Sequence, residues 1–113
     1  MRHQPDSDAG RAFIGYARVS TRDQHTQAQL DALLEAGVHP DNIYTDKSTG
    51  AHMKRRGLQA SFKALRPPEK DKAGNITKPG YTLVTTKLDR LGRNVADLLA
   101  VVEMLKNREC GLR

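Results

Sequence analysis

The chain has 113 residues, a formal net charge of +6 and one cysteine, Cys110. Its length suits a single compact domain, and it has neither an apolar run near the roughly 20 residues that a membrane-spanning helix needs nor a signal-peptide pattern at its start. A lone cysteine excludes an internal disulfide and favours a reducing, cytoplasmic location. The four histidines show no paired spacing with one another or with Cys110, so no metal site is predicted.

Cations exceed anions, with 19 Lys and Arg against 13 Asp and Glu. A basic balance of this kind favours binding to polyanions through counterion release. Charge alone does not separate a nucleic-acid-binding domain from any other basic protein. The positions of the arginines along the chain therefore matter more than their number.

The first predicted elements are a leader and a strand. Residues 1–12 carry no apolar periodicity and are predicted to be a disordered leader. The β-prone run FIGYARVS, residues 13–20, is predicted to be the first strand. Period-two alternation places Arg18 and Ser20 on one side of that strand.

An amphipathic helix is predicted over residues 23–36, where leucines recur at helical spacing. Thr21 and Gln24 have the spacing of a capping box at its start. Gly37 suits a left-handed stop at its end.

The middle of the chain predicts a strand, a basic loop and a helix. The strand covers 42–46, and an exposed, mobile, basic loop follows over 47–57. A short helix is predicted over 58–66, ended by two prolines. The polar segment 67–80 is rich in Gly and Pro and is predicted to be a surface excursion.

The third strand is predicted over 81–88, and the last helix over 94–108 with Asn94 as its N-cap. The order β-α-β-α-β-α predicts an α/β fold with a mostly parallel central sheet flanked by helices. The chain stops at Arg113, directly after a helix, where alternation calls for a fourth strand. It is therefore interpreted as a fragment of a longer protein.

A polar cluster lies at the carboxyl end of each predicted strand. Ligands of open parallel sheets bind beyond the carboxyl ends of the strands, so these clusters are predicted to share one edge. A serine among arginines suits phosphoryl transfer, because arginine forks hold phosphate oxygens and stay charged. The residues are Arg18 and Ser20 at the end of the first strand, Asp46 at the end of the second, and Asp89, Arg90 and Arg93 at the end of the third.

Each residue also has a plainer interpretation. Ser20 has the residue type of a helix N-cap, and Arg18 that of a solvated charge at a strand end. Arg90 and Arg93 have the spacing of an exposed helical or turn face, and aspartates are common in turns. Asp89 could hold a guanidinium or accept a proton, and local sequence leaves both roles open. Independent coincidences at three strand ends are less expected than one, which favours function.

Four segments together resemble the catalytic domain of serine recombinases, the family of resolvases and DNA invertases. The resemblance covers residues 13–113. It rests on YARVSTRDQ (16–24), IYTDKSTG (43–50), RRGL (55–58) and LVTTKLDRLGRN (83–94).

The resemblance implies a role for each matching residue. Ser20 aligns with the nucleophile that attacks a DNA phosphodiester and forms a 5′-phosphoserine link, without metal, ATP or other cofactor. Other positions align with arginines around the scissile phosphate, with the acid paired to them, or with supporting polar groups. These are Arg18, Arg90 and Arg93; Arg55 of the mobile loop, with Arg56 as a one-residue alternative; Asp89; and the supporting Gln24, Gln29 and Asp46.

The sequence departs from the family at three places. Ala64 stands where the family commonly has a lysine, with Lys63 one residue before it. The segment 67–80 is longer than the usual turn. The interface helix and the DNA-reading domain that follow in relatives are absent from the 113 residues.

The resemblance implies duplex DNA as partner and, in the full-length protein, a dimer on DNA that becomes a tetramer in synapsis. A non-catalytic module of the same fold, binding DNA or a partner recombinase, remains an alternative. So does a small phosphatase-like domain that acts through Ser20.

Overall fold

The computed structural model of the chain describes residues 12–20, 26–48, 55–87, 91 and 94–113. Within these residues the chain forms an α/β arrangement. Its elements are β1 (Phe13–Ser20), α1 (Thr26–Glu35), a 3-10 turn (Pro40–Asn42), β2 (Ile43–Ser48), α2 (Arg56–Ala64), β3 (Glu69–Lys70), β4 (Ile76–Lys78), β5 (Thr82–Thr85), α3 (Val95–Asn107) and β6 (Gly111–Leu112).

A parallel sheet organises these elements in the order β2-β1-β5-β6. β1 is central, and its residue Tyr16 lies opposite Tyr44 of β2 and Thr85 of β5. The predicted fold class is therefore confirmed. The expectation that the chain stops directly after a helix is wrong, because Gly111 and Leu112 pair with β5 as the fourth parallel strand.

Helices cover both faces of the sheet. Alternate residues of β1 point to opposite sides, so this strand contributes to the core on each face. Ile14 and Tyr16 belong to a core shared with α2 and α3. Ala17 belongs to a second core beneath α1. The first cluster contains Ile14, Tyr16, Leu58, Leu65, Leu83, Leu91, Val101 and Leu105, and the second Ala17, Leu33, Val38 and Val84.

The first helix ends as its sequence predicts. Gly37 has a φ of +100°, which an L side chain rarely adopts, and its N–H donates to the Leu34 carbonyl oxygen over 3.0 Å. The described helix begins at Thr26. Thr21 and Gln24, the predicted capping box, lie outside the described residues, as does the predicted leader up to residue 11.

Boundaries in the middle of the chain differ from prediction. β2 continues through Ser48, because β1 pairs with it as far as Ser20 opposite Ser48. The described part of the predicted basic loop is thus partly strand and partly helix, since α2 begins at Arg56. Residues 49–54 lie outside the described part of the chain.

The surface excursion 67–80 contains a short antiparallel hairpin of β3 and β4. Its turn is closed by Asp71, whose Oδ1 accepts from the backbone N–H groups of Ala73 and Asn75, each over 2.9 Å. Gly74 supplies the left-handed position with φ +88°. Both strands of the hairpin are exposed, which agrees with a surface position.

The last helix has the predicted cap. The Asn94 side chain accepts a hydrogen bond of 2.9 Å from the Asp97 N–H, which satisfies one of the unpaired donors of the first turn. No helix in the described ranges is long and apolar enough to cross a membrane.

Candidate active site

The carboxyl ends of β2, β1 and β5 lie side by side, since all three strands run parallel and are neighbours in the sheet. β1 reaches beyond β5, so its last residues lie at the rim of the sheet. Arg18 is half-buried there, in register with Asp46 of β2. Ser20 is the final residue of β1 and pairs with Ser48.

Four predicted site residues lie outside the described residues: Gln24, Asp89, Arg90 and Arg93. β5 ends at Thr85 beside β1, so the chain leaves this strand at the same edge. The described part of the site therefore consists of the ends of β1 and β2, the start of α2 and, at the rim, Gln29 of α1.

Asp46 is a buried, hydrogen-bonded carboxylate at this edge. It is 6% exposed, and both of its carboxylate oxygens accept hydrogen bonds. Oδ1 accepts from the Gly57 N–H over 2.6 Å, and Oδ2 from the Leu58 N–H over 3.0 Å. The carboxylate thus caps α2 from a neighbouring strand, where the positive end of the helix dipole favours an anion.

A third donor reaches Asp46 from β1. The Tyr16 hydroxyl donates to Oδ2 over 2.8 Å, and the Tyr16 side chain is fully buried. Burial raises the pKa of the Tyr16 phenol well above its ordinary value, the Asp46 carboxylate raises it further, and Arg55 opposes both. The phenol therefore stays protonated and remains a donor at neutral pH.

Arg55 lies close to this pair. Its guanidinium is near enough to the Tyr16 hydroxyl to lower the pKa of that phenol, and the side chain is half-buried. Arg56 is exposed. The two neighbouring arginines of the RRGL segment thus differ in position, and Arg55 is the one beside Tyr16 and Asp46.

Gln29 lies in the first turns of α1, on the other face of the sheet from α2. Its side chain is half-buried, and its Oε1 atom is fully shielded from solvent. The helix after β1 starts at the same edge as Asp46, so Gln29 is placed at the rim of the candidate site, although not in the Tyr16 cluster.

Sequence reasoning gave Tyr16 no role in the site, although it lies within the predicted first strand. Two signals could have found it. A tyrosine on the inward face of a buried strand needs a partner for its hydroxyl. Tyr16 also precedes Arg18 by one period of the strand, on the side that carries the candidate nucleophile.

The described residues contain no group of three or more His, Cys, Asp or Glu side chains arranged to hold a metal ion. Cys110 is partly buried and packs against the first core cluster. Burial also raises the pKa of its thiol.

Comparison with known proteins decides the family. The model of the resolvase N-terminal domain matches residues 13–113. The chain belongs to this family. Its members act in DNA recombination, and the family comprises serine recombinases, DNA invertases and resolvases.

Individual relatives agree with this assignment. The serine recombinase Gin of Escherichia phage Mu is 40% identical over 101 residues, which are 89% of this chain and 45% of that protein. The DNA-invertase BinR of transposon Tn552 from Staphylococcus aureus is 42% identical over 95 residues, 84% of this chain and 42% of that protein. The transposon Tn3 resolvase of Escherichia coli is 37% identical over 91 residues, 80% of this chain and 43% of that protein.

The chain thus spans less than half the length of these relatives. The resemblance seen in the sequence is confirmed at the level of the family.

Proposed function

We propose that the chain is the catalytic domain of a site-specific recombinase that cuts and rejoins DNA through a 5′-phosphoserine intermediate formed on Ser20. The observation that carries the proposal is the position of Ser20. It ends the central strand of the sheet, two residues after Arg18 and beside the β2 end that carries Asp46. Membership of the resolvase family supports the proposal.

In the proposed reaction the Ser20 Oγ attacks the scissile phosphorus. A bond forms between that oxygen and phosphorus, and the bond from phosphorus to the 3′ oxygen breaks. The serine gives up its proton to an acceptor, and the leaving 3′ oxygen takes up a proton to become a free hydroxyl. Attack by a 3′ hydroxyl of a new partner strand reverses each step and restores free Ser20.

Arginines supply the stabilisation that this step requires. Negative charge grows on the phosphoryl oxygens in the transition state, and guanidinium groups are fixed positive donors matched to it. Arg18 and Arg55 come from the described edge. Arg90 and Arg93, with Asp89 to orient or relay a proton, are proposed from the KLDRLGR segment after β5.

The proposed substrate is duplex DNA, to which a charge of +6 is complementary. In the full-length protein the working assembly is proposed to be a dimer on DNA and a tetramer in synapsis, in the cytoplasm. No step of the proposed scheme calls for a metal ion or a nucleotide.

The test uses the full gene product and DNA from the locus that encodes it. An adduct between protein and DNA that resists denaturation is expected, with the link at Ser20. Ser20→Ala should abolish it, since alanine has no oxygen to attack phosphorus. Thr77→Ala, which removes a hydroxyl from the exposed hairpin, is the matched control and should leave the adduct in place.

An adduct that survives Ser20→Ala would contradict the proposal. Salt-sensitive DNA binding without any adduct in the unaltered protein would also contradict it, and is what a non-catalytic recombinase-fold module predicts. Turnover of a small phosphomonoester that depends on Ser20 would favour the phosphatase-like alternative instead.

A further inference from the structure

We propose that Tyr16 and Asp46 are positioning residues that form a latch, a buried hydrogen-bonded link that holds the start of α2, and with it Arg55, against β1. The inference rests on the proposed function, for which it assigns a task to two side chains that carry no part of the phosphoryl transfer. It is drawn from the three hydrogen bonds that meet at one carboxylate.

Neither latch residue is placed to contact DNA itself. Tyr16 is completely buried, and its hydroxyl is committed to Asp46. Asp46 is 6% exposed, and both of its oxygens already accept hydrogen bonds. A carboxylate facing a phosphate would also repel it. Their effect on the reaction must therefore pass through another residue.

Arg55 is that residue. It directly precedes α2, whose second and third residues, Gly57 and Leu58, donate their N–H groups to Asp46. Fixing these two amides fixes the point from which the Arg55 side chain leaves the backbone. Tyr16 ties the same carboxylate to β1, the strand that carries Arg18 and Ser20.

β2 and α2 approach each other so closely at the latch that there is no room for a Cβ at Gly57. A Cβ added to Gly57 would overlap the Thr45 carbonyl oxygen, and it would lie 2.9 Å from Oδ1 of Asp46. Glycine therefore permits the short hydrogen bond from the Gly57 amide. A link this tight transmits a displacement of Asp46 directly to the first turn of α2.

The latch itself is tested by amide hydrogen exchange in the 113-residue chain, without reference to recombination. Tyr16→Phe removes one of three hydrogen bonds to Asp46, so exchange at the Gly57 and Leu58 amides should quicken by about fivefold. Asp46→Asn should quicken it further, since it removes the charge at the helix start. Tyr44→Phe is the control, because Tyr44 is the partner of Tyr16 on β2 and packs against the same core.

The catalytic purpose of the latch is tested in the full gene product through the rate of adduct formation. Tyr16→Phe should slow the reaction about tenfold, and Tyr44→Phe should not. Combining Tyr16→Phe with Arg55→Ala should be no slower than Arg55→Ala alone within about twofold, because the latch acts only through Arg55. A purely structural or independent effect of Tyr16 would instead multiply with that of Arg55.

Unchanged exchange at Gly57 and Leu58 in Tyr16→Phe would overturn the latch. Multiplying losses in the double variant would overturn its action through Arg55. Absence of any adduct in the unaltered protein would overturn the proposed function and the catalytic purpose together, while the exchange experiment still decides whether the latch exists.

Discussion

Gly57 is required because there is no room for a Cβ at this position, and not because of its backbone angle. Its φ is not among the positive values, which within the described residues belong to Gly37, Gly74 and Glu109. The constraint is the Thr45 carbonyl oxygen, which fills the space where a Cβ would stand. A backbone atom held in a sheet has little freedom to move aside.

We expect Gly57→Ala to lower the free energy of unfolding by about 3 kcal/mol, as overpacking against a fixed backbone does. Gly74→Ala is the comparison. Nothing lies within 4 Å of the added Cβ there, and only the left-handed φ of +88° opposes it, at a cost of about 1 kcal/mol. Urea denaturation of both variants measures the difference. Equal losses would contradict the steric origin.

Tyr16 makes stability depend on alkaline pH. Its pKa is raised in the folded protein, first by burial and then by Asp46. The unfolded chain loses this proton near pH 10 while the folded chain keeps it, so the folded state binds more protons above that pH. The stability contributed by the neutral phenol is present in full below about pH 10 and is lost as pH rises further.

We therefore expect the free energy of unfolding to fall above about pH 10, by up to about 1.4 kcal/mol per pH unit from this group. Tyr16→Phe should have a shallower fall over the same range, since it removes the titrating hydroxyl. Urea denaturation between pH 9 and 11 measures both curves. Parallel curves would show that Tyr16 ionises equally in the two states.

Sequence reasoning at this scale succeeded where the signal is local. The Asn94 cap and the Gly37 stop depend on residues within four positions of themselves, and both were predicted. The hydrogen bond from Tyr16 to Asp46 joins residues 30 positions apart. No local pattern specifies such a pair, because it exists only once β1 and β2 are paired.

Among the helices and strands, the boundaries that local sequence determines were again predicted better than those that depend on a distant residue. The start of α2 was predicted two residues late, at 58 and not at Arg56. Its cap is not the residue before it, since the Arg55 side chain makes no cap hydrogen bond. The acceptor is Asp46, supplied by β2, which a local search for Ser, Thr, Asp or Asn at the N-cap does not find.

The hairpin of β3 and β4 stands apart from the elements that position the site. Its strands are exposed, and Lys70 forms an ion pair of 3.2 Å with Glu109, with both side chains about half exposed. Exposed pairs of this kind contribute little to stability. The hairpin also lies between α2 and β5, at the edge of the sheet opposite the candidate site.

Replacing residues 70–77 by Asn-Gly, so that a tight turn joins Glu69 to Lys78, should change the free energy of unfolding by less than about 1 kcal/mol. Pro68 and Gly80 are kept because both pack at the base of the hairpin. Thermal and urea denaturation measure the change, with Lys70→Ala as the variant that removes only the ion pair. A loss of several kcal/mol would show that the hairpin is part of the core structure.

At the scale of the whole molecule, the topology decides where function can lie. Alternation of strands and helices predicted a parallel sheet, and a parallel sheet brings its carboxyl ends to one edge. The location of the site, at the carboxyl ends of the strands, could therefore be predicted from the sequence. The family assignment followed as well, from the resemblance of four sequence segments to serine recombinases, and the match to the family model confirms it. Ser20 and the arginines keep their proposed roles as predictions, because Asp89, Arg90 and Arg93 lie outside the described residues.

The affinity of the full gene product for DNA should depend on salt concentration, because binding of cationic side chains to phosphates releases counterions. We expect the logarithm of the association constant of the full gene product to fall linearly with the logarithm of salt concentration. Arg18→Gln should reduce the slope by about one, as the loss of one phosphate contact does. Lys72→Gln, in the exposed hairpin turn, is the control of equal charge. An equal reduction of the slope by both variants would mean that DNA binding depends on total charge and not on the position of Arg18 at the candidate site.

The hydrogen bonds that the Gly57 and Leu58 N–H groups donate to Asp46 also close a ring of chain, because they join residues 11 and 12 positions apart. A single carboxylate, that of Asp46, accepts both of the closing hydrogen bonds. Lengthening a ring costs little, about 0.6 kcal/mol for each doubling. We therefore expect an insertion between β2 and α2 to cost little stability, because the hydrogen bonds that close the ring lie on the two elements that flank it.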